Sequence, residues 1–270
     1  MPGTPTTSSW PFPPETREIQ FDEMWSFVHK KQKNCDPADP ADDHKGDRWD
    51  HVAYDAEHRL VLAVVPGARS LENAEEVVQQ AHDRTAGRED VLLTSDEYPA
   101  YETAIDHVYG VPEGPRPPGT PGRRPIAPRR EAPAALKYAT VHKEREKGRV
   151  VAIVTAVLLG TWQAVAGALE RSRASRTINT SFLERHHRTD RHHNARKSRK
   201  TYRFSEDWRM HEAMTYLTKY RDNFCWPVRT LGERCDAGVW RKKTPAMAAG
   251  LADHVWSLKE WLTFPAVQQL

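Results

Sequence analysis

Three carboxylates occupy positions where a charged side chain needs a partner. Asp22 lies in the alternating run EIQFDEMWSFVHK, Asp96 follows the apolar run VLLTS, and Glu184 lies in the basic run SFLERHHRTDRHH. A buried or half-buried carboxylate is costly unless it is paired or binds a metal. Mg²⁺ prefers oxygen ligands, and proteins hold it with one or two carboxylates together with substrate phosphate. If the fold brings these three side chains together, they form a site for phosphodiester chemistry with two ions about 3.5–4 Å apart.

The run around Glu184 is strongly basic, although the 270-residue chain has a net charge of only +3. Residues 171 to 204 contain eleven Lys or Arg against two acids, Glu184 and Asp190. Local basicity of this kind is typical of a surface that binds a polyanion, and also of a solvated helical face. Charge alone leaves both interpretations open.

A helix in this run would place Glu184, Arg188 and Arg191 on one face, at positions i, i+4 and i+7. The carboxylate could then hold a metal ion while the two guanidinium groups hold neighbouring phosphates. The alternative is an ion pair between Glu184 and these arginines, worth about 0.2–0.5 kcal/mol. We favour contact with DNA. The predicted DNA-binding residues are Arg185, Arg188, Arg191, Arg196, Lys197, Arg199 and Lys200.

Other polar residues near the three carboxylates receive lesser roles. Glu23 adjoins Asp22 but faces the other side of an alternating strand, so we assign it a secondary role. The histidine pairs in HHRTDRHH have spacings that could suggest zinc with Asp190. Structural zinc sites usually recruit Cys, however, and the surrounding positive charge opposes a dication. We therefore expect these histidines to contact DNA.

The segments before Asp96 predict a leader followed by strands and a helix. MPGTPTTSSWPFPPET is rich in Pro, Ser and Thr, which predicts a disordered leader at residues 1 to 17. A first strand begins near Glu18, and RWDHVAYDAEHRLVLAVVPGA predicts two strands joined by a hairpin near residues 55 to 58. A helix capped by Ser70 and a short strand before Asp96 follow. Residues 18 to 110 thus form the first part of the main domain.

The remaining segments predict a long loop, a buried strand and helices. Residues 111 to 149 hold eight prolines among many arginines, which predicts an extended basic loop insertion that becomes ordered on DNA. Residues 150 to 159 are apolar on both alternating faces, which predicts a strand buried on both sides. Residues 150 to 205 then form the second part of the domain, including the helix that carries Glu184. Residues 206 to 270 predict a C-terminal helical region.

The run VVAIVTAVLLGTWQAVAGAL is long enough to span a bilayer. Gly160 and Thr161 divide it into a strand and a helix capped by Thr161, so we expect no membrane segment. The three cysteines are odd in number and lack CxxC spacing, which argues against a disulfide framework. These features predict a cytoplasmic protein, associated with the nucleoid if it binds DNA.

Three blocks of the sequence resemble a known family in their order as well as their residues. QFDEMWSFV, TSDEYPAY and INTSFLERHHRTDRHHNARKSRKTYRFS resemble the catalytic blocks of bacterial DDE transposases of the insertion-sequence-one type, whose catalytic part is the InsB-like frame. WRMHEAMTYLTKYRDNFCWPVRTL continues the resemblance. It runs from about residue 18 into the C-terminal region and is weakest across residues 111 to 149.

The resemblance implies an α/β fold, a ribonuclease-H-like mixed sheet flanked by helices, with extra C-terminal helices; the predicted order of strands and helices is broadly what such a domain needs. It implies that Asp22, Asp96 and Glu184 are the catalytic carboxylates of a two-metal site for Mg²⁺, which Mn²⁺ can replace. The implied reaction is DNA transposition, by cleavage and transfer of the DNA strands of an insertion sequence. A catalytically silent DNA-binding remnant or regulator, and a structure-specific nuclease on the same fold, are the alternatives.

The resemblance also implies partners. These are the DNA of the element ends and of the target, and further copies of the chain in a synaptic complex. Relatives carry an N-terminal zinc ribbon and helix-turn-helix, and this sequence has no paired CxxC. We therefore expect the catalytic frame alone, a truncated copy or one half of a frameshifted product, with a zinc-ribbon and helix-turn-helix protein from an upstream frame as a further partner.

Overall fold

The structure, a computed structural model, describes residues 15 to 113, 130 to 198, 200 to 235 and 238 to 264. Its strands are β1 (Glu18–Val28), β2 (Gly46–Asp55), β3 (Leu60–Gly67), β4 (Leu92–Asp96), β5 (Val111–Pro112), β6 (Arg130–Glu131), β7 (Lys137–Glu146), β8 (Arg149–Leu159), β9 (Glu233–Arg234) and β10 (Trp240–Arg241). Six of them form one mixed sheet in the order β3-β2-β1-β4-β7-β8. β5 pairs with β6, and β9 with β10, as separate two-stranded ribbons.

The main sheet combines antiparallel and parallel pairs. β1, β2 and β3 form an antiparallel meander, which confirms the predicted hairpin between β2 and β3. β4 lies parallel to β1, β7 lies parallel to β4, and β8 returns antiparallel to β7. Parallel neighbours need crossover connections, which helices commonly supply. This mixed α/β arrangement is compatible with the expected ribonuclease-H-like fold.

Helices cover both faces of the sheet. They are α1 (Leu71–Arg84), α2 (Pro99–Tyr109), α3 (Trp162–Arg171), α4 (Ser181–His193), α5 (Trp208–Cys225), α6 (Pro245–Ala248) and α7 (Leu258–Thr263). Ser70 and Thr161 cap α1 and α3 with their side-chain oxygens, as the sequence predicts. No helix in the described ranges has both the length and the apolar composition needed to cross a bilayer.

The two faces of the sheet are packed differently. On one face, Phe21 and Leu93 join Val78 of α1 and Tyr101 of α2 in a continuous apolar core. On the other face, α3, α4 and α5 contribute to two smaller apolar clusters, one around Val165 and Leu169 and one around Leu183. Because these clusters are small, polar contacts carry much of the packing on this second face.

Buried ion pairs join α4 and α5 to the sheet. The Lys197 ammonium, just after α4, donates hydrogen bonds to Asp50 of β2 and to Thr215 of α5, and the side chains of Lys197 and Asp50 are fully buried. Lys219 of α5 lies 3.5 Å from Asp190 of α4, measured from Nζ to Oδ2, in equally buried surroundings. Buried charges are tolerated only when they are paired in this way.

The prediction that residues 111 to 149 form a loop is wrong for the second half of this segment. Residues 137 to 146 form β7, an inner strand of the main sheet. The prolines end at residue 133, and the following KYATVHKERE alternates well enough to pair with β4. Residues 114 to 129, which contain most of the proline-rich part, lie outside the described residues.

The prediction that residues 150 to 159 are buried on both sides is also wrong. They form β8, but β8 is the outermost strand, and Val151, Ile153 and Val154 are exposed. The apolar pattern is typical of a central strand, but β8 is the last strand in the order of the sheet. Most of the predicted leader, residues 1 to 14, lies outside the described residues, while Thr16 is buried and donates a 2.7 Å hydrogen bond to Asp55. The predicted C-terminal helical region contains α5, α6 and α7 together with the β9–β10 ribbon.

Candidate active site

The register between β1 and β4 brings two of the three predicted carboxylates together. Phe21 pairs with Ser95 at the last parallel position, so Asp22 and Asp96 follow side by side where the pairing ends. A third acid joins them, since ligand oxygens of Asp22, Glu23 and Asp96 all lie within 4.8 Å of one another. β1 continues past Asp22 to Val28 in register with β2, so Glu23 lies within a paired strand, next to Asp22.

The carboxylates of this acidic group repel one another. Burial, followed by the charge of Asp96, raises the pKa of Glu23 to about 8, although Arg69 acts in the opposite direction. Burial and the charge of Asp22, with a smaller contribution from Glu184, raise the pKa of Asp96. Oε1 of Glu23 is buried and accepts no hydrogen bond from the described residues, while Nε of Arg69 lies 3.5 Å from it. A divalent cation would relieve this repulsion.

Polar residues of β1 fix the position of α4. Glu18, Gln20 and Asp22 alternate along the strand and share the face that α4 covers. Ser175 donates a 2.5 Å hydrogen bond to Glu18, and the backbone N–H of Leu183 donates a 3.0 Å hydrogen bond to Gln20. We call this series of contacts between β1 and residues 172 to 187 the polar ladder. It sets the register of the helix that carries Glu184.

The last contact of the polar ladder reaches the acidic group. Nδ1 of His187 lies 3.4 Å from Oδ2 of Asp22, and His187 is buried. Burial lowers the pKa of His187 more than the contact with Asp22 raises it, so the imidazole is neutral near pH 7. A neutral ring with its proton on Nδ1 can orient the Asp22 carboxylate without cancelling its charge.

Glu184 faces the acidic group from α4 but does not touch it. Its carboxylate accepts hydrogen bonds from the Lys143 ammonium of β7 and from the Thr180 hydroxyl, the latter at 2.8 Å. Glu184 is close enough to contribute to the raised pKa of Asp96. The structure therefore brings Asp22 and Asp96 together. Glu184 lies near them and is hydrogen-bonded to Lys143.

The predicted DNA-binding residues divide by exposure. Arg185, Arg188 and Lys200 are exposed, and Arg191 and Arg196 are half-buried. Arg199 lies outside the described residues. The prediction for Lys197 is wrong, because its side chain is fully buried against Asp50 and cannot reach a phosphate. A buried carboxylate on β2 draws this one lysine inward, and sequence spacing gives no sign of that partner.

The expectation that the histidine pairs contact DNA is wrong for His187, which is buried, and stays a prediction for the other three. His187 is turned towards Asp22, and His186 lies against Tyr54 with ring centroids 5.0 Å apart. His193 makes a hydrogen bond to the Asp222 carboxylate of α5. His192 is exposed. These rings mostly pack α4 onto its neighbours.

Comparisons with known proteins add little to this geometry. No protein-family model matches the chain. No curated protein matches it either. Among solved structures, the chain has a similarity to "Mos1 transposase paired-end complex with left transposon end", with a TM-score of 0.23 and 18% sequence identity. The similarity covers 34% of this chain and 33% of that one. At this TM-score and coverage the similarity establishes neither a fold nor an activity.

Three residues at the site have roles that the sequence did not predict. Glu23 lies within the acidic group rather than apart from it, Lys143 binds Glu184, and His187 contacts Asp22. The adjacency of Asp22 and Glu23 in the sequence was a usable signal for the first. Lys143 lay in the segment predicted as a loop, so its place on an inner strand was hidden.

Proposed function

We propose that this chain is a metal-dependent DDE-type transposase that cuts and joins the DNA strands of an insertion sequence. The observation that carries the proposal is the proximity of Asp22, within β1, to Asp96, the last residue of the neighbouring parallel strand β4, with Glu184 of α4 close enough to raise the pKa of Asp96. Carboxylates at the carboxyl end of a central parallel strand point into a site rather than into a core. The three-block resemblance in the sequence leads to the same reaction.

The donor set fits Mg²⁺. All of its atoms are hard carboxylate oxygens, and Oε1 of Glu23 is buried there without a hydrogen bond from the described residues. We assign Asp22, Asp96 and Glu184 as the metal-binding residues, with Glu23 as a further carboxylate at the same edge. When bound, two Mg²⁺ or Mn²⁺ ions would activate the attacking oxygen and stabilise the leaving oxygen.

The protein side chains position the reactants. His187 orients Asp22, and Lys143 balances the charge of Glu184 in the metal-free protein. The exposed cations Arg185, Arg188 and Lys200 hold DNA phosphates. Two in-line displacements follow at one site. In the first, water attacks at the element end and releases a 3′-hydroxyl; in the second, that hydroxyl attacks a target phosphodiester and displaces its 3′-oxygen. The second step joins two DNA molecules, so we expect further copies of the chain, and a separate end-binding protein, in the complex.

A strand-transfer assay tests the proposal. The purified chain is incubated with pre-cleaved ends taken from the DNA that flanks its gene, a plasmid target, and Mg²⁺ or Mn²⁺. We expect joined products from the wild type and none from Asp22→Asn, Asp96→Asn or Glu184→Gln. Glu97→Gln is the matched control, because Glu97 adjoins Asp96 but is exposed and pairs with His142 at 2.7 Å.

Each other outcome has a distinct meaning. Joining that persists in the Asp22→Asn and Asp96→Asn variants would overturn the site. Metal-dependent hydrolysis without joined product would indicate a nuclease on the same fold. Salt-sensitive DNA binding without cleavage would indicate a silent DNA-binding remnant or regulator.

A further inference from the structure

A second cleft lies on the other side of α4 from the acidic group. It has a volume of about 880 Å³ and runs between α4, the C-terminal end of α5, residues 226 to 230, Trp240 and Pro245. Small-molecule sites commonly have volumes of about 300–1,000 Å³. Two tryptophans line the cleft and stay open to solvent, Trp226 with 49% and Trp240 with 52% of its surface exposed.

Both indole rings are held in place rather than loosely tethered. Trp226 packs edge to face on His193 with ring centroids 4.4 Å apart, and His193 is in turn hydrogen-bonded to Asp222. Trp240 lies directly over Gly232, where an added Cβ would come within 2.5 Å of the indole nitrogen. Large apolar groups that are fixed and exposed together mark a binding site more often than a chance patch.

The charge around the indoles is positive. Arg185 and Arg229 are exposed on the cleft wall, and the guanidinium of Arg59 stacks on Phe182 at 3.8 Å. The one carboxylate of the lining, Asp222, is paired with Arg221 at 2.5 Å and with His193. The cleft thus combines aromatic faces with the exposed arginines Arg185 and Arg229, a combination that suits bases and phosphates.

We propose that this cleft binds an unpaired stretch of a single DNA strand, whose bases stack on Trp226 and Trp240 and whose phosphates contact Arg185 and Arg229. The inference rests on the proposed function for the identity of the ligand as DNA. Arg185 directly follows Glu184 on α4, and a helix with its side chains is about 10–12 Å across. A strand that leaves the acidic group would therefore reach the cleft within a few nucleotides. The cleft would hold a strand end that has separated from its complement.

Fluorescence anisotropy with a labelled oligothymidylate tests this in EDTA, where no cleavage can occur. Stacking on an aromatic side chain contributes about 1–3 kcal/mol per base, so Trp226→Ala and Trp240→Ala should each weaken binding about 5- to 150-fold. Trp226→Phe and Trp240→Phe should retain most of the affinity, because phenylalanine still offers a ring. Trp162→Ala is the matched control, since Trp162 is 58% exposed but lies on α3, away from the cleft.

Several results would overturn the inference. These are absence of wild-type binding at low salt, unchanged affinity in both alanine variants, and an equal loss in Trp162→Ala. Equal losses for single-stranded and blunt duplex DNA would also overturn it, because a duplex offers no free base faces. Thermal melts confirm that each variant is folded. A wild-type protein that gives no strand transfer but still binds single-stranded DNA through its tryptophans would contradict the proposed function and leave the cleft assignment intact. A wild-type protein that transfers strands but binds single-stranded DNA independently of its tryptophans would contradict the cleft assignment and leave the proposed function intact.

Discussion

Lys197 and Lys200 provide a sharp test of the difference between sequence and structure. Both lysines lie in the same basic run, three residues apart, and charge alone assigns both to DNA. In the structure Lys197 is fully buried on Asp50 and Lys200 is exposed. Replacing each with methionine removes the same charge from two opposite environments.

The expected cost at Lys197 is large. Removing one partner of a buried ion pair leaves the other charge uncompensated, at a cost of about 3–5 kcal/mol. Oδ1 of Asp50 already lacks a hydrogen bond within the described residues, so the variant would leave a buried carboxylate with little support. Folded domains are stable by only about 5–15 kcal/mol, and about 3–5 kcal/mol lowers the melting temperature by roughly 10 °C. Lys200→Met should change the free energy of unfolding by about 0.5 kcal/mol or less.

Two measurements separate the effects. Thermal melts should show a large loss for Lys197→Met and almost none for Lys200→Met. DNA binding at several salt concentrations, measured well below the melting temperature, should show the reverse, with the salt slope of Lys200→Met reduced by about one. The double variant Asp50→Leu with Lys197→Met should recover much of the lost stability, since apolar residues can replace a buried pair. A Lys197→Met protein that melts like the wild type but binds DNA weakly would refute the reasoning.

Three further predictions concern the acidic group, the polar ladder and the sheet edge. In metal-free buffer, the contribution of Glu23 to stability should fall as the pH rises from about 4.5 towards 8, because Glu23 loses its proton near pH 4.5 when unfolded and only near pH 8 when folded, while buried histidines such as His51, whose pKa burial lowers to about 4, act in the opposite direction; urea unfolding across this range should show the wild type losing stability relative to Glu23→Gln, and a constant difference would contradict the assignment. Gln20→Ala should cost about 1–3 kcal/mol by leaving buried groups at the start of α4 unpaired, measured by urea unfolding, whereas the exposed Gln79→Ala should cost little. Ile153, 61% exposed on β8, should tolerate Ile153→Lys with higher solubility and an unchanged melting temperature; a drop in melting temperature would mean that this side chain is buried in solution.

Local patterns predicted most of the fold. The alternation in β1, the hairpin between β2 and β3, the Ser70 cap of α1 and the Thr161 cap of α3 all depend on neighbours in sequence, and all are present. The order of the strands depends on which segment pairs with β4, and that segment is distant from β4 in the sequence. The many prolines before β7 led to the prediction of a loop there. Because β7 was not predicted, the outer position of β8 could not be predicted either.

The resemblance predicted which acids belong to the site, and the partners of these acids were not foreseen. Asp22, Asp96 and Glu184 were chosen because the three blocks that contain them resemble a known family, whereas the chain has many other acids to combine. Glu23 was set aside by strict alternation, although it pairs with His51 inside the sheet and its carboxylate still lies within 4.8 Å of those of Asp22 and Asp96. Lys197 was misassigned because its partner, Asp50, lies 147 positions away in the chain.

The polar ladder has a consequence for how such chains can diverge. Glu18 faces Ser175, Gln20 faces the start of α4, and Asp22 faces His187, so each step along β1 corresponds to a fixed step along residues 172 to 187. An insertion or deletion in that segment would shift every later contact at once and carry Glu184 away from Asp96. Among descendants of a common ancestor, we therefore expect that segment to keep its length and the facing residues to be exchanged in pairs, while the exposed positions of β8 drift freely.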